Sequence, residues 1–162
     1  MTDIKTLNYR DTTIGDAAVD GLSGGVLGGL LMAVYLEAAG LLTGTSLGGM
    51  LSRFNPQQDD PLLVALLLHL AVAGVYGILF GILYRWLVLV RKDLLAPRAA
   101  AVAGAVYGLL LLLLARGVLL PSAGSALMEI PLIHFGAAHL IFGASLGLLA
   151  YRSRVKSINQ VQ

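Results

Sequence analysis

The stretch "PLLVALLLHLAVAGVYGILFGILY", residues 61–84, decides the fold because it includes no charged side chain. An α-helix rises about 1.5 Å per residue, and the hydrocarbon core of a membrane is about 30 Å thick. As a single helix, this stretch is therefore long enough to cross a membrane. A second stretch, "IPLIHFGAAHLIFGASLGLLAY" at residues 130–151, is equally free of charge.

Two further stretches of similar length carry few charges. Residues 21–44 contain Glu37, and residues 97–120 contain Arg116 besides Arg98 near their start. Of the whole chain, 57% is hydrophobic and 12% is charged, whereas about 25% is charged in a typical soluble domain. The sequence thus predicts an all-α integral membrane protein, a four-helix bundle with the lipid bilayer as a partner. We predict transmembrane helices near residues 21–44, 61–88, 97–120 and 129–151.

Basic residues are distributed unequally between the two ends of the predicted helices. Because Lys and Arg are enriched in cytoplasmic loops, both termini are predicted to lie in the cytoplasm. We assign residues 1–19 to a cytoplasmic N-terminal segment, 20–152 to a single transmembrane domain and 153–162 to a cytoplasmic tail. Most of the basic residues fall on the side of the termini: Lys5, Arg10, Arg85, Arg91, Lys92, Arg98, Arg152, Arg154 and Lys156.

The chain contains an internal repeat. The acid, Pro, Leu, His and Leu found within positions 59–70 return at the same intervals within positions 129–140, so that His69 corresponds to His139. In the first and third predicted helices the separation between repeated positions is also constant and is slightly larger, so that Gly25 corresponds to Gly104. A unit with two spans keeps its direction in the membrane when it is duplicated, in contrast to an inverted repeat. We therefore predict two duplicated, parallel-oriented helical hairpins.

Glycine recurs at every fourth position in parts of the predicted helices. Small residues at this spacing let two helices approach closely in a membrane. A nucleotide-binding loop is excluded because these glycines lie inside apolar spans, without a preceding strand or a following Lys-Ser/Thr. We assign the following glycines to helix packing: Gly25, Gly29, Gly77, Gly81, Gly104, Gly108, Gly143 and Gly147.

His69 and His139 are predicted to lie at the same depth in the membrane. Ionisable side chains inside a membrane are candidates for function, and two facing imidazoles suit axial ligation of a b-type haem. In the alternative interpretation, each imidazole hydrogen-bonds a backbone carbonyl group or Ser145 across a close helix interface. We expect no bound cofactor, with haem b or a quinone at His69 and His139 as the alternative.

Glu37 and Arg116 are predicted to share a depth as well, because the offset that aligns Gly25 with Gly104 also aligns these two residues. An unpaired charge inside a membrane is costly, and opposite charges at matching positions can neutralise each other. We predict a structural ion pair between the first and third helices. The functional alternative is that Glu37 handles a proton or a quinol, with His69 as its neighbour.

The chain offers no recognisable catalytic motif. It has no cysteine, which excludes thiolate metal sites and cysteine nucleophiles. It also lacks an HExxH motif and a nucleophile elbow. No basic cluster is interleaved with aromatic residues, so nucleic acid is not expected as a partner. We predict neither an enzymatic activity nor a metal site.

Two of the apolar stretches, "HLAVAGVYGILFGILY" (residues 69–84) and "HFGAAHLIFGASLGLLAY" (residues 134–151), resemble small bacterial inner-membrane proteins of the YagU kind. The resemblance extends from the second predicted helix to the end of the fourth. It implies a four-helix architecture in the bacterial cytoplasmic membrane and no particular activity.

Every strong signal in the sequence concerns helix packing. We therefore expect a non-catalytic accessory or assembly subunit of a larger membrane complex, respiratory or photosynthetic, with other integral membrane subunits as partners. The first alternative is a haem- or quinone-binding electron-transfer protein that uses His69 and His139. The second is an oligomeric channel or transporter.

Overall fold

The computed structural model describes residues 13–55 and 62–159, and these residues form no β-strand. The prediction of an all-helical chain with four helices long and apolar enough to cross a membrane is confirmed. The helices are α1 (Ile14–Leu42), α2 (Leu62–Val90), α3 (Pro97–Ala123) and α4 (Leu132–Asn159). Short 3₁₀ turns lie in the connections at Leu51–Phe54, Lys92–Leu95 and Ala126–Glu129.

The helices at the chain ends are longer than the predicted spans. α1 begins before its predicted span because the Thr13 hydroxyl accepts the backbone N–H of Asp16 at 3.1 Å, while the Asp16 carboxylate accepts the backbone N–H of Thr13 at 2.9 Å. This reciprocal cap stabilises a helix start in water. α4 continues to Asn159. Hydropathy locates the apolar part of a helix, whereas the backbone hydrogen bonds continue beyond it.

The segments predicted outside the membrane are therefore helical over residues 14–19 and 153–159. Residues 1–12 and 160–162 lie outside the described residues. So does Pro61, the predicted start of the second helix.

α1 packs against α2 through glycine. A methyl group added to Gly25 would overlap the carbonyl oxygen of Ala73, and one added to Gly77 would overlap that of Gly21. Because these positions carry no side chain, the two backbones are in direct contact.

α3 packs against α4 in the same manner. A methyl group added to Gly104 would overlap the carbonyl oxygen of Gly143, and one added to Gly147 would overlap that of Ala100. The two offsets of the sequence repeat relate these pairs to the contacts between α1 and α2, so both hairpins have the same contact register. All the glycines assigned to packing from the sequence are buried in these two interfaces.

The other two sides of the bundle differ from each other. α1 packs closely on α4, where Gly28 faces the side chains of Phe142 and Ser145. α2 and α3, by contrast, hardly approach each other at the level of the backbone. The helices therefore follow the spatial order α2, α1, α4, α3. The side between α2 and α3, where the two backbones are far apart, is called the open side of the bundle.

Candidate functional site

A cavity of about 260 Å³ lies on the open side of the bundle. Phe54 and Leu127, from the two connections opposite the chain termini, contribute to its wall. His69 and His139 are the two histidines that line it. The rest of the lining is mainly aliphatic and aromatic and includes Met32, Leu68, Val72, Tyr76, Leu111, Ala115, Leu119, Phe135 and Phe142.

A tyrosine bridges α2 and α3 beside the cavity. The Tyr107 hydroxyl donates to the carbonyl oxygen of Tyr76 at 2.8 Å, and the Tyr107 ring lies 5.0 Å from that of Phe80. The repeat aligns Tyr107 with Gly28, where the absence of a side chain lets α1 and α4 pack closely. The large side chain at the equivalent position of α3 explains why the side between α2 and α3 stays open.

α3 also departs from regular helix at the cavity. Residues Ala115–Leu119 form a π-helical turn, and both end residues of this turn line the cavity. A π-turn inserts an extra residue into a helix and is found frequently at functional sites. The irregular turn thus lies at the cavity wall.

The cavity opens sideways. Leu68 and Val72 on α2 and Leu119 on α3 line it, and these side chains are 42%, 55% and 44% exposed. All three belong to helices that are long and apolar enough to cross a membrane. The mouth therefore faces the same surroundings as the apolar outer surface of the bundle.

His69 links two helices. Its Nε2 atom donates to the carbonyl oxygen of Gly29 in α1 at 2.9 Å. The ring of Phe54 meets the imidazole edge-on, with 4.4 Å between the ring centroids. The side chain is buried and held from two sides.

His139 is bonded within its own helix. Its Nδ1 atom donates to the carbonyl oxygen of Phe135 at 2.8 Å, and the Phe135 ring packs edge-on at 4.5 Å. The Ser145 hydroxyl bonds carbonyl groups of α4 and neither histidine. Each imidazole thus donates to a backbone carbonyl group, and the structure brings both histidines to one cavity.

The predicted ion pair between Glu37 and Arg116 is not formed, and this prediction was wrong. Both Glu37 carboxylate oxygens accept backbone N–H groups of the connection that follows α1, from Gly48 at 2.7 Å and from Leu51 at 2.7 Å. Glu37 therefore anchors the connection to the end of its own helix.

Arg116 has the corresponding role in the second hairpin. Its guanidinium group donates to the carbonyl oxygen of Met128 at 2.9 Å and to that of Ile130. It also lies over the Phe135 ring, 5.2 Å from the centroid. Backbone groups in a connection lack helical partners, and a nearby charged side chain forms strong hydrogen bonds with them. These local partners replace the predicted distant one.

Sequence reasoning missed the residues that shape the cavity, chiefly Tyr107, Tyr76 and Phe54. The available signal was the position where the repeat fails. Gly28 and Tyr107 align at the same offset as the matching glycines but differ greatly in size. A large side chain in place of a packing glycine indicates a side of the bundle that cannot close.

No protein-family model matches the chain, and no curated protein and no solved structure shows significant similarity to it. The described residues contain no group of three or more His, Asp or Glu side chains that could hold a metal ion.

Proposed function

We propose that this protein spans the bacterial cytoplasmic membrane four times, with both termini in the cytoplasm, and that it consists of two duplicated, parallel-oriented helical hairpins. The four apolar helices, the excess of basic residues near the termini and the common contact register of the two hairpins support this proposal.

Because the chain has no cysteine, single cysteines can report its orientation. In intact spheroplasts, a membrane-impermeant maleimide should label the Ser46→Cys variant and should label Gln162→Cys only after lysis. The reverse pattern would contradict the proposed orientation.

We further propose that the protein binds a lipophilic ring compound of the quinone class. The observation that carries this proposal is an apolar cavity that opens sideways at the apolar surface and is lined by two imidazoles. A quinone ring inside the cavity would leave its hydrocarbon tail in the lipid, past Val72 and Leu119. Sites of this kind are mostly apolar, with a few polar groups that orient the ligand.

The size of the cavity favours a quinone over haem. Its volume of about 260 Å³ lies below the range of about 300–1,000 Å³ found for drug-sized ligands. This space suits a single substituted ring better than a porphyrin. The cavity therefore favours the quinone among the two cofactors considered for His69 and His139.

A matched pair of valines tests quinone binding. Val72 lines the cavity and Val75 does not, although both lie on α2 and are 55% and 56% exposed. The Val72→Phe variant should lose binding of a decyl-substituted benzoquinone, measured by isothermal titration calorimetry in detergent. The Val75→Phe variant should bind like the unsubstituted chain. Equal binding by both variants would place the ligand elsewhere.

The second candidate function is an accessory or assembly subunit of a larger membrane complex, of the respiratory or photosynthetic kind. The exposure of α3 favours it. In an apolar 18-residue stretch of α3 only 11% of the residues are buried inside the chain, compared with 44% in the corresponding stretch of α1. This leaves a long face on which another integral membrane subunit can pack. Purification from native membranes in mild detergent should recover a stable partner, and recovery of the free chain alone would contradict this candidate.

A further inference from the structure

The proposed quinone site contains two imidazoles with similar hydrogen bonding. His69 and His139 are only 5% and 7% exposed, and each has one ring nitrogen bonded to a backbone carbonyl oxygen. The other ring nitrogen of each, Nδ1 of His69 and Nε2 of His139, has no hydrogen-bond partner among the described residues. Both side chains line the cavity.

The bonded nitrogens determine which atoms carry the protons. A carbonyl oxygen only accepts, so the Nε2 atom of His69 and the Nδ1 atom of His139 must donate. In a neutral imidazole the second nitrogen is then an acceptor. A second proton would leave an unpaired positive charge in apolar surroundings, because none of the described residues lining the cavity is acidic. The two remaining nitrogens are therefore acceptors.

This arrangement distinguishes between the two redox forms of a quinone. The carbonyl groups of the oxidised form accept hydrogen bonds, whereas the hydroxyl groups of the reduced form donate them. Tyr76, whose hydroxyl can donate or accept, creates no preference of its own.

We propose that the cavity selects the reduced form, a hydroquinone, whose hydroxyl groups donate to His69 Nδ1 and His139 Nε2. This inference rests on the proposed quinone-binding function and goes further, because it names the form that binds and the atoms that recognise it. A ligand without a hydroxyl donor leaves both acceptor nitrogens unpaired.

Three ligands with the same ring and the same decyl tail test the proposal: the hydroquinone, its dimethyl ether and the quinone. Their dissociation constants are measured on the full chain in detergent, without oxygen, by calorimetry. The hydroquinone should bind about tenfold or more tightly than the ether and more tightly than the quinone. The dimethyl ether has the same ring and tail as the hydroquinone, with methyl groups in place of the hydroxyl protons. Any difference in their affinity therefore reports the hydrogen bonds that the hydroxyl groups donate.

Variants locate the acceptors. His139→Leu and His69→Leu should each weaken hydroquinone binding about threefold to tenfold and should change ether binding less than about twofold. The comparison of ligands on the unsubstituted chain remains decisive if a variant fails to fold. Equal affinity for all three ligands, or tighter binding of the quinone, would overturn the choice of hydroquinone and leave quinone binding in place. Binding of none would overturn the proposed ligand class itself.

Discussion

Glu37 and Arg116 carry opposite charges at equivalent positions of α1 and α3, and each binds the backbone of the connection that follows its own helix. The carboxylate accepts two N–H groups, and the guanidinium group donates to two carbonyl oxygens. Opposite charges therefore perform the same task in the two hairpins. Because neither side chain depends on the other, their contributions to stability should be independent.

A double-mutant cycle tests this independence. Glu37→Gln and Arg116→Gln should each lower the free energy of unfolding by about 1–3 kcal/mol, because each weakens hydrogen bonds to a charged group. In the double variant the two losses should add to within about 0.5 kcal/mol, as expected for separate sites. Denaturant titration in micelles, followed by circular dichroism, measures all four proteins. A coupling energy above about 1 kcal/mol would favour the ion pair after all.

Substitution by alanine should affect the free energy of unfolding differently at two glycines of α3. A methyl group at Gly104 would overlap the backbone of α4, whereas one at Gly117 would meet nothing within 4 Å. Gly104→Ala should lower the free energy of unfolding by about 1–3 kcal/mol, because the helices must move apart. Gly117→Ala should leave it unchanged or raise it slightly, since alanine favours helix over glycine. Thermal melting measures both, and equal melting temperatures would contradict the packing described here.

Tyr107 offers a test of what keeps the cavity open. Tyr107→Phe removes the hydrogen bond to the Tyr76 carbonyl and keeps the ring, so it should cost about 1 kcal/mol and preserve binding of the decyl benzoquinone. Tyr107→Gly recreates the residue found at Gly28 and should let α2 and α3 approach, with loss of binding. Calorimetry measures the binding of both variants. Unchanged binding by Tyr107→Gly would show that another residue holds the cavity open.

The ion pair between the two connections should contribute little. The Nη2 atom of Arg53 lies 3.7 Å from the Oε2 atom of Glu129, and the Glu129 side chain is 69% exposed. Exposed ion pairs typically contribute less than about 1 kcal/mol because water and salt screen them. Glu129→Gln should therefore change the free energy of unfolding by less than about 0.5 kcal/mol in denaturant titration. A larger loss would mean that this pair helps to hold the connections together.

The sequence by itself determined the helical class, the number of long apolar helices and the small-residue faces. Hydropathy is a property of each segment alone, and a charge-free run such as residues 61–84 indicates a span without knowledge of its neighbours. Glycine spacing is informative for the same reason, since the face of a helix follows from its period. The two offsets read from the sequence also relate the contact of Gly25 with α2 to the contact of Gly104 with α4.

Only the tertiary structure decided which groups are partners and where the bundle is open. For Glu37 and for Arg116, a side chain of opposite charge and nearby backbone groups compete as hydrogen-bond partners. The backbone groups are closer and form the bonds. The distance to a connection depends on how the chain turns back, which no periodicity encodes. The open side likewise depends on one large side chain, Tyr107 on α3. Its contact with α2 follows from the arrangement of the helices, which a sequence pattern does not give. The effect of a large side chain on helix packing depends on which residue it contacts, and that residue is determined only when the chain folds.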